Sequence, residues 1–399
     1  FSEECNDDDP ALSPELFSPA ERITVIMKAM PVVAMCAGTS WYLWNFRRNV
    51  IIALTQQNWK VVLIAPEDEW TARLRELPGV VWYAWPLSQN GANPVQELAS
   101  LWHLRGSLKK YRPIFVFNNG IKANVYGGIT CRFLRIPYAN NVSGLGTRMS
   151  HPGIGGRALS RLYSFTASKG EALLVQNEAD LEFLLQNGLP ADLAVHRTMG
   201  SGVDLKHFTQ TPLPQGKHRC FVFVGRLQKD KGIYDFVEAA EVLHDENPSH
   251  RFIVVGDTRH TNAGGVSADI IDVWRQKPFL EFVGRQDDVR PWLALAHVLV
   301  MPSHGGEGMP KAILEAAACG RPVITSDVPG CRDCVVEGAT GFIHAATDIK
   351  ELTRVMREVS HIQITQLTEI SRAARARAEE LFSEDKLSNL SVNLVRAVL

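Results

Sequence analysis

Residues 301–322 read MPSHGGEGMPKAILEAAACGRP, and the fold follows from how that stretch is parsed. The apolar run His297 to Met301 has the length of a buried strand. It ends in a turn rich in Ser and Gly. Pro310 suits a first helical position, where the N–H that proline lacks would have no partner anyway. Gly320 and Pro322 then stop the helix. Strand, flexible loop and short helix in that order present a helix N-terminus to solvent. Its unpaired N–H groups and partial positive charge favour phosphate. Gly305, Gly306 and Gly308 would let a ligand come close to the backbone.

Two carboxylates frame this unit, Glu307 in the loop and Glu315 on the helix, with seven residues between them. Every near neighbour of Glu315 in Ala312-Ile313-Leu314-Glu315-Ala316-Ala317-Ala318-Cys319 is apolar. Burying a carboxylate there is costly unless something hydrogen-bonds to it, and the adjacent hydroxyls of a ribose would serve. A place on the solvated rim of the helix is the other reading.

The paired glutamates resemble the motif of the retaining glycosyltransferases of family 4, which have the GT-B fold. Gly320-Arg-Pro-Val-Ile-Thr-Ser-Asp-Val-Pro-Gly330 and Glu337-Gly-Ala-Thr-Gly-Phe342 are similar to that family's continuation. The resemblance covers nearly the whole chain after about residue 22, strongly in the second half and more weakly in the first. It implies an α/β chain of two Rossmann-like, doubly wound parallel-sheet domains facing a cleft. On that reading residues 1–21 are a tail and 22–205 an acceptor-side domain. Residues 206–370 are a nucleotide-sugar-binding domain, and 371–399 a helix crossing back to the first.

Size and composition agree with two soluble domains. The chain has 399 residues, enough for two separate cores. It is 45% hydrophobic and 21% charged, with a net charge of −1, so the whole molecule is no polyelectrolyte binder. No apolar run is long enough to span a bilayer. Ile23 to Ala37 comes nearest, but Lys28 and Pro31 break it, and it lacks the plan of a cleavable signal peptide. Seven cysteines, an odd number, suit a reducing compartment better than a disulfide framework. Cys331 and Cys334 form a CxxC with no second pair at zinc-site spacing, and read as two loop thiols. Asp7, Asp8 and Asp9 lie in a tail bearing Pro and Ser. No catalytic metal and no cofactor are expected.

In the first half, Ile23 to Ala37 predicts one or two strands, and Gly38-Thr39-Ser40 a turn. Trp41 to Gln57 is helical by pattern, and Val61 to Ala65 is a buried strand. This alternation predicts a parallel, doubly wound sheet, whose ligands bind beyond the C-terminal strand ends. Gly38, Thr39 and Ser40 therefore fall at a site edge, and the resemblance implies that they face the donor. Phe115-Val116-Phe117 is a strand leading into Lys122-Ala-Asn124-Val-Tyr126-Gly127. That segment looks like one found in members acting on lipid-linked sugars, which implies substrate contacts at Lys122 and Asn124; Val142 to Gly146 fits the same subgroup. No His–Asp pair marks the expected strand end, and His103 and His151 sit in other contexts.

The charge pattern shifts sharply here. Between Leu98 and Gly170 there is no Asp or Glu, where 43 acids in 399 residues predict about eight. The span holds eleven basic residues, with Trp102, Tyr111, Phe133 and Leu134 interleaved. Such a face can hold a protein against anionic lipid. It could equally bind nucleic acid, or the charges could scatter over several faces. The acceptors implied by the resemblance favour the membrane, so no nucleic acid partner is expected. The chain is then cytoplasmic and peripheral on the inner membrane face.

Leu173 to Val175 is a strand, and Gly200-Ser-Gly-Val-Asp204 precedes a polar linker, Lys206 to Arg219, with Pro212, Pro214 and Gly216. In the second half Cys220 to Val224 is a buried strand, and Ile233 to about Glu246 a helix. Arg226 and Lys231 lie between them, where they can meet phosphate as a fork and a point charge. Phe252 to Asp257 and Leu280 to Arg285 are further strand ends. Asp287-Asp288-Val289 starts a helix, and Ile364 to Leu399 is helical.

The resemblance assigns roles. Arg226, Lys231 and Glu307 would be catalytic. Gly284, Arg285, Gly306, Gly308, Met309, Pro310 and Glu315 would bind the donor, with Glu315 on the ribose. The implied partners are a nucleotide-sugar donor, a glycan or polyprenyl diphosphate-linked sugar acceptor, and an anionic membrane surface. A non-catalytic nucleotide-sugar-binding protein and an epimerase of the same fold are the alternatives.

Overall fold

The structure, a computed structural model, describes residues 30–88, 93–145, 154–216, 218–258, 264–306 and 308–399, with the side chains of 154–158 not described. Glu307, Gly146, Arg148, His151, Lys28 and the residue 1–21 tail with Asp7, Asp8 and Asp9 lie outside the described residues.

Strands and helices alternate along the chain as the apolar runs require. The first lobe comprises β1 (Val32–Ala37), α1 (Ser40–Thr55), β2 (Lys60–Ala65), α2 (Thr71–Arg75), β3 (Val80–Ala84) and α3 (Pro94–Tyr111). It continues with β4 (Phe115–Asn119), α4 (Ile121–Leu134), β5 (Tyr138–Val142), α5 (Ile154–Ala167), β6 (Ala172–Val175), α6 (Glu178–Gln186) and β7 (Val195–Arg197). The second lobe holds β8 (Cys220–Val224), α7 (Ile233–Glu246), β9 (Arg251–Val255), α8 (Ala268–Arg275), β10 (Leu280–Gly284) and α9 (Arg290–Leu295). Then come β11 (Val298–Met301), α10 (Lys311–Ala318), β12 (Val323–Ser326), β13 (Gly341–His344), α11 (Ile349–His361), α12 (Ile364–Leu381) and α13 (Glu384–Arg396).

The sheets run β3-β2-β1-β4-β5-β6-β7 and β10-β9-β8-β11-β12-β13, with every pairing between these strands parallel. Each order reverses direction once, between β1 and β4 and between β8 and β11. Crossover helices cover both faces, so the strands are mostly apolar, with Asn118, Asn119, Asn140 and Asn141 of β4 and β5 as buried exceptions. In β1, Val33, Met35 and Ala37 pack with Leu43, Val50, Ile51 and Leu54 of α1. Ala34 and Cys36 face the other way, towards Leu104 and Leu108 of α3. This two-residue period is what a strand imposes.

The C-terminal segment is two helices, not the one continuous helix that its sequence suggests. α12 packs on the second lobe through Leu367, Ala374 and Ala378. α13 buries Leu387, Val392 and Val395 in the core of the first lobe. Burial of three such side chains stabilises the docked helix by about 1.5–3 kcal/mol each. The break between them has a cause. Val203 N–H donates to Phe382 O at 2.7 Å and Val203 O accepts from Glu384 N at 3.2 Å, which holds residues 382–384 out of helical geometry. Gly202 has φ +71°, and a Cβ there would lie 2.4 Å from Glu384 Cα. Both passes of the chain between the lobes therefore run side by side.

The acid-free span forms the outer layer of α3, α4 and α5. Trp102 and Phe133 are each 70% exposed and Phe165 is 55% exposed. Arg105 lies 5.3 Å from the Trp102 ring and 5.2 Å from that of Phe133, and Arg132 lies 4.0 Å from Phe165. These contacts join the three helices in one aromatic and basic face. Tyr111 and Leu134 are half-buried against the first lobe's core instead. Among the described residues no helix is long and apolar enough to cross a membrane.

Candidate functional site

The loop after β11 is tied to the strand end that carries the two cations. Arg226 follows β8, is exposed, and pairs with no carboxylate among the described residues. Lys231 ends a short 3₁₀ turn, Lys229–Lys231. Gly232 then takes φ +74°, and a Cβ there would lie 1.9 Å from Pro302 O, so the turn presses directly on the β11 loop. His304 N–H and Ser303 Oγ both donate to Asp230 O, at 2.8 and 3.2 Å. His304 Nε2 also lies 2.8 Å from Asp235 Oδ2, and Asp235 is only 6% exposed. The loop running through Gly305 and Gly306 to Pro310 is therefore anchored to the segment that holds Lys231. Pro310 has φ −65° and ψ 121°, so it caps α10 from outside and Lys311 is the first helical residue.

The tip of α10 closes on the first lobe. Met309 N–H donates to Gln176 Oε1 at 2.9 Å. A Cβ on Gly308 would lie 2.1 Å from Gln176 Oε1 and 2.8 Å from the Ser143 backbone, so only glycine permits this approach. Lys311 Nζ donates to Asn45 O of α1 at 2.9 Å and lies 5.9 Å from the Phe46 ring. Gln176 and Ser143 follow the C-terminal ends of β6 and β5, the edge where ligands of parallel sheets collect. Glu315 lies one turn further along α10, with its side chain 13% exposed and Lys311 Nζ 3.6 Å away. Burial raises its carboxyl above the usual range, and Lys311 opposes that shift.

On the first lobe the Gly38–Ser40 turn ends β1. Thr39 caps α1, its Oγ1 accepting from Tyr42 N–H at 3.0 Å. Ser40 is fully buried and donates to Asp68 Oδ1, with Thr71 Oγ1 2.8 Å away, so its hydroxyl is spent inside the lobe. Lys122 and Asn124 are likewise engaged there. Lys122 Nζ lies 2.6 Å from Glu97 Oε1 and donates to Ser88 O at 2.7 Å. Asn124 is fully buried; its Nδ2 donates to Asn141 O at 2.8 Å and to Tyr163 Oη. A donor contact from Ser40 Oγ or Asn124 Nδ2 to a ligand would first have to break those bonds, whereas Asn124 Oδ1 has no partner.

Gly284 ends β10 with φ +70°, and Arg285 reaches across to the first lobe. Its guanidinium lies 5.1 Å from the Trp70 ring and 3.5 Å from Glu69 Oε1. With Arg73 and Asp287 these residues line a cavity of about 450 Å³ between the lobes.

Several residues in this cleft carried no motif. Gln176 meets the α10 tip beside Ser143 of the Val142–Gly146 segment, Asp235 holds His304, and Arg47 is buried beside Asn119. Gln176 follows a strand end, which is the one signal that could have found it.

Comparison with known proteins fits this architecture. Residues 218–361 match the family described as Glycosyl transferases group 1. The chain is 27% identical over 335 residues to the N,N'-diacetylbacillosaminyl-diphospho-undecaprenol alpha-1,3-N-acetylgalactosaminyltransferase of Campylobacter jejuni, covering 79% of this chain and 85% of that protein. It is also 27% identical over 320 residues to the UDP-Gal:alpha-D-GlcNAc-diphosphoundecaprenol alpha-1,3-galactosyltransferase of Escherichia coli, covering 75% and 81%. Among solved structures, Anabaena Alr3699/HepE in complex with UDP-glucose superposes with a TM-score of 0.73 at 16% identity, over 92% of this chain and 99% of that one. Sucrose-phosphate synthase from Thermosynechococcus elongatus gives 0.74 at 16% identity, over 92% and 99%. Residues 218–361 are thus a domain of the group 1 glycosyl transferases, carried in a chain with the GT-B fold.

Proposed function

We propose that this chain is a retaining glycosyltransferase. It moves a hexose or N-acetylhexosamine from a UDP-sugar to a sugar carried on a polyprenyl diphosphate, in cell-surface polysaccharide assembly. The observation that carries the reading is the tether between the turn that holds Lys231 and the loop leading to α10, made by Asp230 with Ser303 and His304 and by Gly232 against Pro302. The names of the two bacterial relatives, which act on diphospho-undecaprenol sugars, support the acceptor class.

Departure of the sugar leaves negative charge on the nucleotide diphosphate. Arg226, Lys231 and the amides at Gly308 and, once it leaves Gln176 Oε1, Met309 stabilise that charge as it develops, the kind of electrostatic aid that lowers barriers most. Glu315 takes the ribose hydroxyls in place of its present pairing with Lys311. Glu307 steadies the sugar as its ring becomes cationic. The acceptor hydroxyl attacks from the leaving-group side and its proton passes to the departing phosphate. Since fixed cations meet the diphosphate, a chelator should leave the rate unchanged. The aromatic and basic face of α3, α4 and α5 rests on the anionic inner membrane surface where such acceptors reside; each basic residue near that surface adds about 1 kcal/mol.

The test is a screen of nucleotide sugars against diphosphate-linked acceptors with anionic vesicles present, with the product anomer read by NMR. Transfer from a UDP-sugar with retained configuration is expected. Absence of nucleotide binding by calorimetry would mark a non-catalytic protein, and sugar conversion without an acceptor would mark an epimerase. Either result overturns the proposal.

A further inference from the structure

Arg47 is buried and, among the described residues, has no counter-ion. It projects from the second turn of α1 and is 4% exposed. Nε donates to Asn119 Oδ1 at 2.8 Å and Nη1 to Phe46 O at 2.7 Å, while Nη2 is buried with no hydrogen-bond partner. No carboxylate lies within ion-pair distance of it among the described residues. An arginine cannot shed its charge by losing a proton. A buried charge without an opposite one costs several kcal/mol. Keeping one here therefore points to an anion that arrives with a ligand.

The position fits a ligand site. Asn119 ends β4 and its Nδ2 donates to Cys36 O of β1 at 3.2 Å, so Arg47 caps the place where the first sheet's order reverses. Ligands of doubly wound sheets bind outside the strand ends at that reversal. Asn141, paired in register with Asn119, is 4% exposed; its Nδ2 donates to Tyr42 Oη at 3.2 Å and its Oδ1 has no partner. The Arg47 guanidinium lies 5.2 Å from the Tyr42 ring. Phe46, the residue before Arg47, meets Lys311 from the second lobe, so this cluster borders the α10 tip.

We propose that Arg47 and Tyr42, the latter held by Asn141 Nδ2, form a subsite for a phosphate oxygen of the acceptor's diphosphate. The proposal rests on the reading that the acceptor is diphosphate-linked. The second lobe already supplies Arg226, Lys231 and the α10 tip for the donor's diphosphate, whereas Arg47 belongs to the lobe on the acceptor side. Its free Nη2 makes one charge-assisted hydrogen bond.

The experiment compares one acceptor sugar carried on a diphosphate and on an uncharged alkyl chain. Arg47→Gln should lower the ratio of the two kcat/KM values by about 10- to 100-fold, the effect of losing one such bond. Arg47→Lys, which keeps the charge, should restore part of the ratio. Equal losses on both acceptors, or a loss expressed as a raised donor KM, overturns the proposal. A binding measurement stands apart from turnover. Geranyl diphosphate should bind the wild type and the Arg226→Ala variant, and at least tenfold more weakly the Arg47→Gln variant. No binding to the wild type, or loss only in Arg226→Ala, overturns the subsite. A wild type that binds geranyl diphosphate through Arg47 yet transfers no sugar to any diphosphate-linked acceptor would sink the transferase reading alone.

Discussion

The two parallel sheets end in opposite ways. In the first lobe β4 and β5 finish in Asn118, Asn119, Asn140 and Asn141, none more than 4% exposed. The floor of that half-cleft is made of buried amides and one guanidinium. In the second lobe β8 and β11 finish in Val224 and Met301, 7% and 3% exposed, within an apolar core. There the chemistry is lifted off the strands into glycine loops and a helix tip. On the proposed reading, one lobe would meet its ligand with side chains held in a polar interior, the other with backbone N–H groups and solvent-facing cations. A polar interior demands partners for each group, so the first lobe gains order from a ligand. The second lobe leaves buried groups without partners too, among them His297 Nε2 and Arg321 Nη1.

The largest effect that could break this contrast lies in the second lobe. Glu307→Gln and Arg226→Ala should each lower kcat by about 100- to 1000-fold, the range for losing one group aimed at transition-state charge, with little change in unfolding midpoint. Near-normal turnover in either variant would mean that the loops are not where the charge is met. Next comes the contact between the lobes. Gly308→Ala should fold normally but hold the α10 tip away from Gln176 and Ser143, lowering kcat/KM by about 10- to 100-fold through misplacement alone. A full-rate Gly308→Ala enzyme would show that the tip need not approach the first lobe so closely.

The smallest effect concerns the joint. Glu384 lies beside the crossover, and burial, with Asp204 adding, raises its carboxyl to about 7 from an ordinary 4.5. The folded state thus favours its protonated form. That stabilisation is fully present below about pH 4.5 and is lost as pH rises through about 7. Glu384→Gln should therefore be the more stable protein at pH 8, by about 1 kcal/mol after allowance for its partial exposure, and nearly equal to wild type at pH 4.5. Denaturant unfolding at the two pH values measures this. A constant difference would place the joint's acid in contact with solvent.

The sequence showed the second lobe more plainly than the first, and the reason is distance along the chain. Helix Ile233–Glu246 and strand Cys220–Val224 were readable from local periodicity and capping glycines. The loop, the cations and the α10 tip lie on local motifs. Arg47 and Asn119 are 72 residues apart, and Gln176 and Met309 are 133 apart, so no local pattern links either pair. Ser40, Lys122 and Asn124 sit where strand ends direct them, but the partners that engage their polar groups come from Asp68, Glu97, Ser88, Asn141 and Tyr163. The break between α12 and α13 does carry a local signal, since Ser383 caps α13 by accepting from Asp385 N–H, with Glu384 and Asp385 in the first turn; the pairing with Val203 that fixes it there is distant in the chain.

That paired passage has a mechanical consequence. Two peptide backbones stitched together by hydrogen bonds bend easily across their common axis but resist being twisted or sheared. Moving one pass without the other would break both hydrogen bonds and drive Gly202 against Glu384.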